Sequence, residues 1–146
     1  MLLTKFLHIS HMQKIMLIEA SLLLLLARVA LKYCPFKYIQ QILNLPPKKP
    51  ELVGKERDLI RDNVIWAIRR SAHYLPGKTV CFPRGIVAQQ MLRRRNIGTS
   101  LYYGASATIE NRLKSHVWVR DGSIDVVGCD AATGYKIIAI YPNINV

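Results

Sequence analysis

The hydrophobic positions follow a helical period through the first two thirds of the chain. Apolar residues nearly fill one segment, and in three others they recur at three- and four-residue spacing. The four segments are Ile15–Leu31, Phe36–Leu43, Asp58–Leu75 and Thr79–Arg95. Each is therefore predicted to be a helix. Pro35 ends the first of them, because proline disfavours the helical conformation in the residue before it.

The hydrophobic period changes from 3.6 residues to two after Asn96. Short alternating segments predict four strands, at Thr99–Tyr103, His116–Arg120, Ser123–Val127 and Tyr135–Tyr141. The dipeptide Asp121-Gly122 indicates a hairpin turn between the middle two, and residues 104–114 read as a polar connection. Helices followed by an antiparallel sheet predict an α+β fold.

A run of prolines and lysines interrupts the pattern between the second and third helices. Three prolines and two lysines occur within Leu45–Pro50, a composition typical of a linker or an extended loop. We therefore predict a helical segment over residues 1–45, a linker over 46–57 and a core over 58–146.

The first helix contains five consecutive leucines but is too often interrupted to span a membrane. Glu19 and Arg28 leave an uncharged stretch of only eight residues between them, whereas a spanning helix needs about 20 apolar residues. No small-x-small cleavage site follows before Lys32, which argues against a signal peptide. We expect a helix that is buried or lies against a partner or a membrane surface, in a cytoplasmic protein that is at most peripheral to the membrane.

The net charge indicates possible binding partners, and the cysteine content indicates the redox environment. A formal net charge of +12 attracts polyanions, membrane surfaces or acidic peptides. The three cysteines, Cys34, Cys81 and Cys129, are widely spaced and form no C-x-x-C pair. Neither a structural zinc site nor a disulfide framework is predicted, and the usage fits reduced thiols in the cytoplasm.

Two residues have the chemistry of a thiol-based active site. Cys81 stands at a predicted helix N-terminus, where free N–H groups and the helix dipole stabilise a thiolate. His116 begins a predicted strand and is the candidate base that takes the thiol proton. The alternative interpretation is a buried cysteine and a histidine that only packs. His8, His11 and His73 have no comparable setting and are interpreted as structural.

A third group should orient the imidazole, as in a catalytic triad. With the predicted hairpin turn, Val127 lies opposite His116 and Asp125 shares the face of His116, one position away. Asp130 follows the return strand and reaches the same place if the chain bends at Gly128. The sequence leaves both aspartates open, with a slight preference for Asp125.

Several segments together resemble the maturation protease of lasso-peptide biosynthesis, a transglutaminase-like cysteine peptidase. They are Thr79–Gly85, Gln89–Ile97 and Ser115–Gly122, preceded by Leu23–Phe36, which resembles the N-terminal helix of that family. The resemblance spans nearly the whole chain. It implies a transglutaminase-like (papain-like) core with a catalytic cysteine at a helix N-terminus and a histidine on an antiparallel sheet.

The resemblance also implies an activity and partners. Such enzymes remove the leader from a ribosomally made precursor through a thioester, freeing the amine that is then cyclised. Their Cys-His-Asp triad carries over to Cys81 and His116, while Val127 or Gly128 stands where the acid is expected. The implied partners are a leader-binding recognition protein and an asparagine-synthetase-like cyclase that uses ATP. The peptidase itself needs no metal or other cofactor.

Two other functions fit the same residues. A transglutaminase-like acyltransferase uses the same Cys-His machinery but passes the acyl group to an amine. A non-catalytic basic module is suggested by the net charge of +12 and by Arg93–Arg95. Aromatic residues are not interleaved with these basic runs, so nucleic acid is not an expected partner.

Overall fold

The computed structural model describes residues 7–77 and 81–143. The described helices are α1 (His11–Tyr33), α2 (Phe36–Leu43), α3 (Gly54–Tyr74) and α4 (Cys81–Arg94). The strands are β1 (Ser100–Ala107), β2 (Leu113–Asp121), β3 (Ile124–Val127) and β4 (Lys136–Tyr141), with a short 3₁₀ turn at Cys129–Ala131. This arrangement confirms the α+β prediction. Thr79 and Val80, where the fourth helix was predicted to open, lie outside the described residues.

Helix α1 begins four residues before the predicted start because Ser10 caps it. The Ser10 hydroxyl accepts a hydrogen bond from the Gln13 backbone N–H at 3.2 Å, and the Gln13 side chain accepts one from the Ser10 N–H at 3.2 Å. This capping box satisfies two N–H groups that the helix leaves free. The pattern of apolar residues does not contain this signal, since Ser10 and Gln13 are polar.

Helix α1 is apolar on two opposite sides. One side is buried and consists of Met16, Ala20, Leu24 and Ala27. The other is exposed and consists of Ile15, Ile18, Leu22, Leu25, Leu26 and Val29. The leucine run is therefore divided between the core and an exposed stripe. Among the residues described, no helix is both long enough and apolar enough to cross a membrane.

One hydrophobic core joins the helices to the sheet. It contains Leu24 of α1, Ile68 of α3, Met91 of α4 and Val119 of β2, each with no exposed surface. The predicted N-terminal segment and the predicted core therefore share one apolar interior. Helix α3 begins at Gly54, so it takes in the end of the segment predicted as a linker.

The four strands form one antiparallel sheet in the order β3-β2-β1-β4. Residues 104–107 and 113–114, predicted as polar connection, extend β1 and β2, which leaves a connection of residues 108–112. The hydrophobic pattern does not reveal this pairing, because the side chains at the end of β1 are small and partly exposed. The two strands are joined there by backbone hydrogen bonds, which do not depend on side-chain type.

The register between β2 and β3 corrects the predicted hairpin. Asp121 pairs with Ile124, so the turn lies one residue later than predicted, and a bulge follows between Val119 and Arg120. Val127 consequently lies opposite Val119, not opposite His116. Each shift of one residue changes which side chains share a face.

Asp121, predicted to be a turn residue, instead ends β2 as a buried carboxylate. Both of its oxygens accept hydrogen bonds from Arg57, at 2.6 and 3.2 Å, and Arg61 adds a third at 3.1 Å. Burial alone would raise the pKa of Asp121, but the bonds from Arg57 and Arg61 outweigh it and hold this pKa below its usual range. The cluster ties this end of the sheet to α3.

Candidate active site

Cys81 is carried to the sheet by the close packing of α4 on β2. Cys81 is the first described residue of α4, and Gly85 follows it by one helical turn. A Cβ atom added to Gly85 would lie 2.5 Å from Cγ1 of Val117 in β2. Because glycine lacks that atom, the first turns of α4 approach the strand that carries His116.

Cys81 and His116 line the same pocket, which has a volume of about 430 Å³. Both side chains are partly buried. Residues of β3 and of the 3₁₀ turn also line the pocket, among them the other predicted residues Asp125 and Asp130. Two arginines, Arg69 of α3 and Arg84 of α4, also line it. The structure thus brings the predicted catalytic residues to one cavity.

The imidazole of His116 is held by a main-chain carbonyl. Its Nε2 atom lies 2.7 Å from the carbonyl oxygen of Gly128. A carbonyl oxygen can only accept a hydrogen bond, so Nε2 carries the hydrogen. In the neutral ring, Nδ1 is then the unprotonated nitrogen, which is the form that a general base requires.

Gly128 can hold this carbonyl in place because it has no side chain. Its φ angle is +73°, in the left-handed region that favours glycine. A Cβ atom here would lie 2.6 Å from the carbonyl oxygen of Val117 and 3.4 Å from Nε2 of His116. Gly128, one of the two residues at the position where the resemblance implies an acid, is therefore a site residue that acts through its backbone carbonyl. Its positive φ and close packing are not visible as a side-chain motif.

Aromatic rings support the imidazole from two directions. The His116 ring is stacked on Trp118, with centroids 6.0 Å apart and planes 20° apart, and it contacts Tyr135 at 5.2 Å. Trp118 is itself stacked on Tyr102 at 5.6 Å. Residues two apart on a strand share a face, which explains the contact between His116 and Trp118. The ring is thus packed as well as hydrogen-bonded.

Neither candidate carboxylate is hydrogen-bonded to His116. Asp125 is mostly exposed and forms an ion pair with Arg120 at 3.0 Å, opposite it in the sheet. Asp130 lies exposed on the 3₁₀ turn that follows Gly128. The acceptor that was expected from Asp125 or Asp130 is supplied by Gly128, and a catalytic role for either aspartate stays a prediction.

The other two cysteines have settings unlike that of Cys81. Cys129 lines the same pocket, but its thiol donates to the carbonyl oxygen of Val119 at 3.2 Å. Burial raises the pKa of the Cys129 thiol, although the contact with Arg120 opposes this effect. A protonated thiol is a poor nucleophile. Cys34 is exposed at the end of α1.

Comparison with protein families matches residues 22–139 to the Transglutaminase-like superfamily. The match covers most of the chain, including Cys81 and His116. The chain belongs to the transglutaminase-like superfamily. No curated protein and no solved structure matches it. The mixed architecture of helices and an antiparallel sheet agrees with a transglutaminase-like domain, and the match begins at residue 22, within α1.

A transglutaminase-like domain has a fold of the peptidase and acyltransferase type. In both reactions a thiolate attacks a carbonyl carbon and a thioester forms. The acyl group then passes to water in a peptidase or to an amine in an acyltransferase. A pocket that holds a thiol and a histidine whose Nε2 is bonded to a carbonyl oxygen, so that Nδ1 of the neutral ring is unprotonated, is suited to either reaction.

Proposed function

We propose that this protein is a cysteine peptidase that removes the leader from a ribosomally synthesised lasso-peptide precursor. The observation that carries the proposal is the shared pocket of Cys81 and His116, with Nε2 of His116 bonded to Gly128. The sequence segments around these residues support the finer assignment, because they resemble the lasso-peptide maturation protease.

The reaction follows from the state of the imidazole. Nδ1 of His116 takes the proton of the Cys81 thiol, and the thiolate attacks the carbonyl carbon of the scissile peptide bond. His116 then gives the proton to the leaving amine, so the C–N bond breaks and a thioester remains on Cys81. Water attacks the thioester carbonyl carbon while His116 takes its proton, the C–S bond breaks, and the leader leaves with a new carboxyl group. His116 returns the proton to the Cys81 thiolate, which restores the starting state. The released amine is the N-terminus of the core peptide.

The proposed partners follow from the same assignment. A leader-binding recognition protein would deliver the precursor to Cys81. An asparagine-synthetase-like cyclase would use ATP to join the released amine to an acidic side chain. Hydrolysis at Cys81 needs neither ATP nor a metal, whereas cyclisation needs ATP. A reconstituted reaction without ATP should therefore show cleavage but no cyclisation.

The test is cleavage of a lasso-peptide precursor, with and without a leader-binding protein, the candidate genes for both being sought beside the gene for this chain. Mass spectrometry should show two fragments whose masses sum to that of the precursor plus one water. Cys81→Ala should yield none, because Cys129, the other thiol that lines the pocket, has a raised pKa and donates its hydrogen to the Val119 carbonyl oxygen. Cys129→Ala and Cys34→Ala should cleave at rates close to that of the unchanged protein. Cleavage by Cys81→Ala would refute the proposal.

The superfamily match favours acyl transfer as a second candidate function. The same reaction run with an added primary amine separates the two. Transfer is indicated by a leader fragment whose mass exceeds that of the hydrolysed leader by the mass of the amine minus one water. A fragment that takes up one ¹⁸O atom from labelled water indicates hydrolysis.

A further inference from the structure

A groove separate from the Cys81 pocket runs along the exposed face of α3. It has a volume of about 660 Å³, and its lining residues recur at three- and four-residue spacing: Asp62, Ile65, Trp66, Arg69, Arg70, His73 and Tyr74. At 1.5 Å per residue, this face is about 18 Å long. An extended chain rises about 3.3 Å per residue, so about five residues of a polypeptide would lie along it.

The groove on α3 meets the pocket that holds Cys81. Arg69 lines both of them. Arg84, on α4, lines the pocket on the Cys81 side. Neither arginine forms an ion pair with any residue in the described part of the chain. A polypeptide bound at Cys81 could therefore continue past Arg69 into the groove, where an unneutralised guanidinium is available for a carboxylate.

The next arginine is held in place by aromatic rings. The Arg70 guanidinium lies 5.8 Å from the ring centroid of Trp66 and 5.8 Å from that of Tyr74. Trp66 packs against the core, which gives this platform a fixed position. A guanidinium stacked on rings keeps its N–H edge free for a carboxylate, and less side-chain entropy is lost when that bond forms.

The charge is uneven along the groove. Arg69 and Arg70 lie about midway along it, where the groove meets the pocket. Asp62 lies at the N-terminal end of the groove, where its carboxylate is 3.6 Å from Nε of Arg61. The part of the groove next to the pocket thus attracts negative charge, whereas the N-terminal end does not. This asymmetry restricts the preference to side chains near the bond that is cut.

We propose that the α3 groove binds an acidic segment of the polypeptide substrate next to the scissile bond, through Arg69 and Arg70. The inference rests on the proposed function only in that the segment belongs to a substrate of Cys81. It defines the class of substrate: a peptide with Asp or Glu within about five residues of the cleaved bond.

Binding is measured first, in Cys81→Ala protein, so that no peptide is consumed. Two short fluorescein-labelled peptides are compared by fluorescence anisotropy, one with Asp and Glu residues and one with Asn and Gln in their place. We expect the acidic peptide to bind at least tenfold more tightly, since only its carboxylates form charge-assisted hydrogen bonds with Arg69 and Arg70. Its affinity, but not that of the amide peptide, should fall steeply as NaCl is raised.

Arginine variants locate the site. Arg69→Glu/Arg70→Glu should weaken binding of the acidic peptide at least tenfold. Lys48→Glu/Lys49→Glu makes the same change in net charge on the exposed proline-rich loop and should have little effect. Thermal melting checks that both double variants fold. Equal affinity for the two peptides, or an equal response in the two double variants, would overturn the inference.

Cleavage of a mixed peptide library by the unchanged protein separates this inference from the proposed function. Asp and Glu should be enriched near the new termini, and Arg69→Glu/Arg70→Glu should remove the enrichment. Cleavage with no acidic preference overturns the role of the groove and leaves the peptidase intact. If the acidic peptide binds through Arg69 and Arg70 but Cys81 cleaves no peptide, the role of the groove is supported and the peptidase assignment is wrong.

Discussion

The carbonyl oxygen of Gly128 lies 2.7 Å from Nε2 of His116, twelve residues earlier in the chain. This bond crosses from the end of β3 to β2 and fixes both the tautomer and the direction of the ring. In a catalytic triad a carboxylate performs this task. Here a backbone group performs it, and Gly128 is the residue that makes the approach possible.

Removing the base should affect catalysis far more than removing either aspartate. His116→Ala should lower kcat/KM about 10²–10⁴-fold, the usual contribution of proton transfer. Asp125→Asn and Asp130→Asn should each retain activity within about tenfold, because the bond to Gly128 remains in both. Cleavage rates of the three variants on one substrate check this. A loss above about 100-fold in one Asp variant would identify that aspartate as the group that orients His116.

Gly128→Ala should inactivate the protein without unfolding it. The left-handed conformation costs alanine about 1–2 kcal/mol, and the added Cβ would lie 2.6 Å from the carbonyl oxygen of Val117. The backbone must move, and the carbonyl then loses Nε2 of His116. The measurement is kcat/KM on one substrate, together with thermal melting to check that the variant is folded.

Gly54→Ala is the matched control for that variant. Gly54 has a φ angle of +75°, but an added Cβ would meet nothing within 4 Å. It begins α3, away from the pocket, so the same backbone strain should lower stability with little effect on cleavage. Equal loss of activity in the two glycine variants would show that strain alone is responsible.

The buried carboxylate of Asp121 should make stability depend on pH. Its pKa is lowered in the folded state, so its contribution is fully present above the unfolded value of about 3.9 and is lost as pH falls through the folded value. Asp121→Asn removes the buried carboxylate shared by Arg57 and Arg61, which keep only exposed carboxylate partners, and should cost about 1–3 kcal/mol at neutral pH.

Urea unfolding between neutral pH and about pH 3 measures this effect. The unchanged protein should lose stability steeply below about pH 4, and Asp121→Asn should show a shallower slope there. Asp125→Asn is the comparison, since the exposed pair of Asp125 and Arg120 should contribute little to the free energy of unfolding. Equal costs for the two substitutions would contradict the buried cluster.

Adjacent leucines of α1 should respond differently to truncation. Leu24 has no exposed surface, whereas Leu25 is 42% exposed on the opposite stripe. Leu24→Ala should lower the free energy of unfolding by about 2–5 kcal/mol, and Leu25→Ala by about 0.5 kcal/mol or less. Urea denaturation of the two variants checks the assignment of faces. Similar costs would mean that the exposed stripe is covered in solution.

The sequence predicted secondary structure well where the hydrophobic period was regular. Phe36–Leu43 forms a helix with the predicted bounds, and β4 ends at Tyr141 as expected. The prediction from the sequence failed where the pairing of two strands depends on backbone hydrogen bonds alone. The extended ends of β1 and β2 carry small or exposed side chains, so neither a period of two nor a period of 3.6 marks them.

The residue types at the site were also determined by the sequence. A cysteine at the start of a helix and a histidine on a strand followed from local patterns, and their meeting in one pocket was expected from the resemblance. Those patterns depend on neighbours within a few residues, which a single chain displays directly. The catalytic roles of Cys81 and His116 stay predictions that the variants above test.

The partner of His116 was decided only by the tertiary structure. Every residue has a carbonyl, so no letter of the sequence marks the one that will face an imidazole. The turn at Gly122 and the bulge beside Val119 shift the β2–β3 register away from the predicted one, and Gly128 then turns its carbonyl toward Nε2. Cross-strand register is set by packing over the whole sheet, and one-residue changes in it reassign every contact.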